Sequence, residues 1–79
     1  MSDYEIRQIV QNRLVECRIE ANLTQKEVGD LVDKKPTTVA SWEQGKTLPD
    51  IDTLYRLTKY YNKSLAYMFG DENDNKKKE

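Results

Sequence analysis

Three groups of residues in this sequence have types and spacing suited to chemistry, and the chemistry is the gripping of an anion. Thr24-Gln25-Lys26-Glu27 has the spacing of a capping box. In such a box the Thr24 hydroxyl accepts from the Glu27 N–H while the Glu27 carboxylate accepts from the Thr24 N–H. A helix opening at Gln25 exposes backbone N–H groups that attract phosphate. Gln25, polar and with no local partner in the sequence, is placed to add its amide to that grip. Lys34, Lys35 and Lys46 form the second group, set among a single acid over that stretch. They give it a local positive excess that phosphates would meet on either side. Between these lysines lies the third group, Pro36, Thr37, Ala40 and Ser41. Thr37 and Ser41 can donate or accept, and Thr37 and Ala40 can touch a methyl group.

Bond-breaking chemistry has little to work with. Histidine is absent and Cys17 is the only cysteine, which removes a Cys/His zinc site, a Ser-His-Asp triad and an internal disulfide. Carboxylates and lysines could still assemble a reaction centre, but a helical domain of this size has little room for a closed pocket. The expectation is a non-enzyme with no metal, no cofactor and no small-molecule ligand.

Helices must position these groups. Ile6, Val10, Leu14, Cys17 and Ala21 recur at steps of three and four, which predicts a first helix over Tyr4 to Ala21. Asn22 tolerates the left-handed conformation that ends helices. The capping box starts a second helix, Gln25 to Val32, with Val28, Leu31 and Val32 apolar. Gly29 inside it points to a close approach by a crossing helix. After the turn at Asp33-Lys34-Lys35, Pro36 suits a first helical position. A third helix then runs Pro36 to Gln44, with Val39 and Trp42 inward and Gly45 as its stop. The fourth covers Ile51 to Tyr61, with Ile51, Leu54, Leu57 and Tyr61 on one stripe. Ser64 caps a short fifth, Leu65 to Phe69, stopped by Gly70. The fold class is therefore all-α, a compact five-helix domain over residues 1–70. Residues 71–79 are charged or Asn throughout and are expected to be a disordered charged tail.

Seventy-nine residues fit one domain. No stretch nears the ~20 apolar residues a membrane span requires, and the polar, charged opening does not read as a secretory signal. A cytoplasmic location is expected. Ten basic and ten acidic residues balance up to Gly70, and the tail brings the net charge to −1. A neutral total predicts modest affinity for a polyanion and weak non-specific binding.

Two short helices joined by about four residues are the geometry of a helix-turn-helix. The run from Leu23 to Gly45, LTQKEVGDLVDKKPTTVASWEQG, resembles the Cro/cI-type (lambda-repressor-like, XRE) helix-turn-helix family. The resemblance extends from about Val10 to Gly70. Its markers are Leu23-Thr24-Gln25, a small Gly29 facing Val39, Trp42-Glu43-x-Gly45-Lys46, and Pro49. The resemblance implies double-stranded DNA as partner and a motif over about 24–44. It places Thr24 and Gln25 against a phosphate, joined by Lys34, Lys35 and Lys46, and base contacts at Pro36, Thr37, Ala40 and Ser41. None of those four is the Arg, Asn or Gln that makes paired base contacts. Lys35 stands where relatives usually carry a Ser or Thr cap, and Asp33 where they often carry Gly. Arg18 and Glu43 match a structural ion pair bridging the first helix to the end of the third. Trp42 reads as core and Cys17 as an inert buried thiol.

Function follows as an expectation: a sequence-specific transcriptional regulator, a repressor, acting as a homodimer on a palindromic operator with helix 36–44 in the major groove. Leu65, Tyr67, Met68 and Phe69 are more apolar residues than one short helix can hide, so they suggest the dimer surface. Tyr4, Ile6 and Ile9 are a second candidate patch. The rival expectation is a protein-interaction module on the same fold, antitoxin- or antirepressor-like, favoured by the neutral charge.

Overall fold

The computed structural model describes residues 1–71. The tail anticipated for residues 71–79 lies, beyond Asp71, outside the described residues. Five helices follow one another: α1 (Asp3–Glu20), α2 (Gln25–Val32), α3 (Pro36–Glu43), α4 (Ile51–Tyr61) and α5 (Leu65–Met68). All are α-helices, as expected; α2 and α4 have the predicted bounds, and the ends of α1, α3 and α5 differ from the predicted ones by at most one residue.

Each end has a local cause. Ser2 and Glu5 close a capping box that starts α1 at Asp3, ahead of the predicted Tyr4, because the Ser2 hydroxyl accepts from the Glu5 N–H at 3.1 Å. Asp50 caps α4, accepting from the Thr53 N–H at 3.0 Å, and Ser64 caps α5 in the same way. Asn22, Asp33 and Asn62 take left-handed backbone with φ of 63°, 60° and 59°. Each ends or follows a helix where a short polar side chain tolerates that conformation.

The core joins Val10, Leu14 and Cys17 of α1, Val28 and Val32 of α2, Val39 and Trp42 of α3, Leu54 and Leu57 of α4, and Tyr67 and Met68 of α5. Two expected core positions are corrected. Ala21 is the exposed C-cap of α1. Ile51 is 60 % exposed, because it is the first residue after the Asp50 cap and lies a turn short of the core. Thr53 and Thr58 are buried on α4 instead. The Thr58 hydroxyl donates to the Tyr55 carbonyl at 2.6 Å, which satisfies a polar group inside the core. No helix among the described residues is long and apolar enough to cross a membrane.

Candidate nucleic-acid interface

α2 begins where the capping box predicts. The Thr24 hydroxyl accepts from the Glu27 N–H at 3.0 Å, and the Thr24 N–H donates to the Glu27 carboxylate at 2.8 Å. At the other end Asp33 turns left-handed, and the Lys34 N–H returns to the Gly29 carbonyl at 2.8 Å. Gly29 is therefore required by the turn, whose backbone folds over it. A Cβ at Gly29 would collide with the Lys34 backbone carbonyl.

α3 starts differently. Lys35 is its N-cap and makes no side-chain capping bond, while Pro36 occupies the first turn. Val39 and Trp42, 1 % and 4 % exposed, fix the inward face. Pro36 and Thr37 are exposed, and Ala40 and Ser41 are half-buried. Lys34, Lys35 and Lys46 are exposed beside the helix, as is Thr24 at the start of α2. Gly45, with φ 76°, ends α3 above Gln11, whose side-chain oxygen lies 2.6 Å from where a Cβ would stand.

Two side chains behave otherwise than the sequence suggests. Gln25 has a partner: its amide donates to a Glu43 oxygen at 3.1 Å, which leaves one amide hydrogen and the carbonyl oxygen for other contacts. The Ser41 hydroxyl lies 2.8 Å from that of Thr47 in the following loop, so the loop is tied back onto α3. Thr47 was not legible as a site residue, because no sequence signal marks a hydroxyl pair six residues apart. Gln44 was also missed. It is the exposed C-cap of α3, and its amide has no hydrogen-bond partner among the described residues. Its spacing of seven from Thr37 could have revealed it.

Glu43 organises the motif. Its second oxygen accepts from Arg18 Nε at 2.8 Å, while another Arg18 nitrogen donates to the Leu23 carbonyl at 2.9 Å. The expected Arg18–Glu43 pair is thus present, with side chains 19 % and 7 % exposed. The hydrogen bond to Glu43 raises the Arg18 pKa above its ordinary value. Nearby, the Thr53 hydroxyl and N–H hold the Asp50 carboxyl below its ordinary 3.8, with Lys34 and Arg56 adding to the effect. No cluster among the described residues has the makings of a metal site.

The surplus apolar residues near the C-terminus are mostly accounted for within the chain. Met68 and Tyr67 are buried, at 0 % and 9 % exposed, and Leu65 packs against the core. Tyr67 carries the Arg13 guanidinium 4.5 Å and the Lys63 ammonium 4.8 Å from its ring centre. Of the four only Phe69 is exposed. Gly70, the residue after Phe69, lies against Ile9 of the second candidate patch.

A capped α2, a tight left-handed turn and a short α3 with one buried and one outward face define a helix-turn-helix. Residues 14–68 match the helix-turn-helix family, and the chain belongs to its Cro/cI type. It is 36 % identical over 67 residues to the HTH-type transcriptional regulator ImmR of Bacillus subtilis, covering 85 % of this chain and 53 % of that protein. It is 27 % identical over 64 residues to the cryptic phage CTXphi transcriptional repressor RstR of Vibrio cholerae, covering 81 % of this chain and 58 % of that one. The chain therefore spans little more than half the length of these relatives. No solved structure matches it significantly.

Proposed function

We propose that this chain is a transcriptional regulator, a repressor, that binds double-stranded DNA with α3 in the major groove and α2 across the backbone. The observation that carries the reading is the two-faced α3. Val39 and Trp42 anchor it in the core, while Pro36, Thr37, Ala40 and Ser41 occupy the other side, flanked by exposed Lys34, Lys35 and Lys46. A helix so held presents base-contacting groups between two lines of phosphate contacts. Thr24 and the free part of the Gln25 amide supply a further phosphate contact at the α2 N-terminus.

The protein acts as a homodimer on an inverted repeat, which places two α3 helices about 34 Å apart, one DNA turn. Because Tyr67 and Met68 are buried, the pairing face consists of Phe69 together with Ile9, against which the next residue, Gly70, lies. A monomer by molar mass at high concentration would remove the dimer. Selection from a pool of random duplexes tests the main reading. It should enrich an inverted repeat, with affinity lost in Lys35→Ala and Thr37→Ala; no enrichment even at low salt would sink it. In that event the protein-interaction module takes over, a reading favoured by the net charge of −1 and by the hold of Glu43 on Gln25.

A further inference from the structure

We infer that Gln44 reads a base, selecting an adenine in each half-site; the inference rests on the DNA-binding reading and names a contact within it. Successive residues of an α-helix are separated by ~100°. Counted from Thr37, Gln44 falls within about 20° of the same line, and Ser41 within about 40°. The buried pair Val39 and Trp42 points the opposite way. Gln44 therefore sits on the midline of the outward face. Side chains at the flanks of an inserted helix meet the phosphates of the two strands, whereas those on the midline meet base edges.

The other residues of that face cannot make paired contacts. Pro36 and Ala40 have no side-chain hydrogen-bonding group, and Thr37 has one hydroxyl. The Ser41 hydroxyl is engaged with Thr47 at 2.8 Å. Gln44 alone among them carries a donor and an acceptor side by side, the pattern that complements N6 and N7 of adenine. Among the described residues nothing uses that amide. The backbone N–H of Gln44 bonds to the Ala40 carbonyl at 2.9 Å, and its backbone, φ −96° and ψ 0°, suits any residue. The other glutamine of the motif, Gln25, is held by Glu43; Gln44 is exposed and free.

The spacing fixes where the base should lie. Seven residues of helix rise about 10 Å, which corresponds to roughly three base pairs at ~3.4 Å each. The adenine should stand about three pairs from the position that Thr37 reads.

The test uses the full chain. A site is recovered from random duplexes with the wild type, and each of its base pairs is then changed singly. Wild type, Gln44→Ala, Gln44→Glu and Thr37→Ala are titrated on every duplex, with circular dichroism confirming that each is folded. Gln44→Ala should lose roughly tenfold to hundredfold discrimination at one A·T pair and keep it elsewhere, and Gln44→Glu should move that preference toward cytosine. Unchanged discrimination in Gln44→Ala, or an equal loss of affinity on every duplex, overturns the assignment and leaves DNA binding standing. A wild type that recovers no site overturns both.

Discussion

Glu43 accepts from Arg18 with one oxygen and from Gln25 with the other, so one carboxylate joins α1, α2 and α3. Arg18→Ala would leave that carboxylate, 7 % exposed, with only an amide for company, and should cost about 3 kcal/mol in urea unfolding. Changing Arg18 to Met together with Glu43 to Leu should cost much less, because no buried charge is then stranded. Equal losses in the two variants would contradict this account of the pair. The same scale holds three titrations. Burial pushes the Cys17 thiol from 9.0 to about 11 and the Tyr61 hydroxyl from 10.0 to about 12. Raised acids favour the folded state while protonated, so their contribution is complete below pH 9 and is lost as pH climbs through 11 and 12. For Cys17 that amounts to roughly 2–3 kcal/mol. The urea midpoint should fall over this range, and Cys17→Ala should flatten the part between 9 and 11. Asp50 works in the other direction: held below 3.8, it supports the fold above that pH, and its support fades as pH drops through the lowered value. The Arg18–Glu43 pair was legible through the family resemblance. The Gln25–Glu43 bond was not, because it joins residues eighteen apart whose meeting depends on how α2 and α3 pack.

The turn between α2 and α3 shows what an element demands of its sequence. Gly29 is required by the Lys34 carbonyl that folds over it, so Gly29→Ala should cost about 2 kcal/mol and loosen the setting of α3. Asp33 holds a φ of 60°, a conformation that glycine takes without strain. Asp33→Gly should therefore stabilise the domain by about 0.5–1 kcal/mol in thermal or urea unfolding; destabilisation would mean that the carboxylate does something not visible in the fold. Lys35 caps α3 without a side-chain bond, and Lys35→Ser should add about 1 kcal/mol while weakening any phosphate contact. That divergence separates its structural role from its binding role. Helix positions were readable because caps and apolar spacing act locally: Thr24, Ser64, Asn22 and Asn62 all mark ends where expected. The role of Ile51 was not readable. Periodicity places it on the apolar stripe, but only the packed structure shows that the stripe outruns the core.

Over the whole molecule, ten basic and ten acidic residues to Gly70 leave no general field to draw in DNA, so attraction must come from the patch around α3. The fold class was open in the sequence because five periodic segments with clear stops allow little else. The burial of the C-terminal apolar residues was legible only in part, since composition counts apolar residues without saying which face inward; Met68 and Tyr67 complete the core of their own chain. The central claim is that α3 and its flanking lysines engage DNA, and salt tests it most directly. Lys34, Lys35 and Lys46 from each of two copies would neutralise about six phosphates, so the logarithm of affinity for the selected duplex should fall against the logarithm of salt with a slope of about −5. Lys35→Ala should reduce that slope by about 2. A flat salt response, or a slope untouched by Lys35→Ala, would contradict the placement of α3 in the groove.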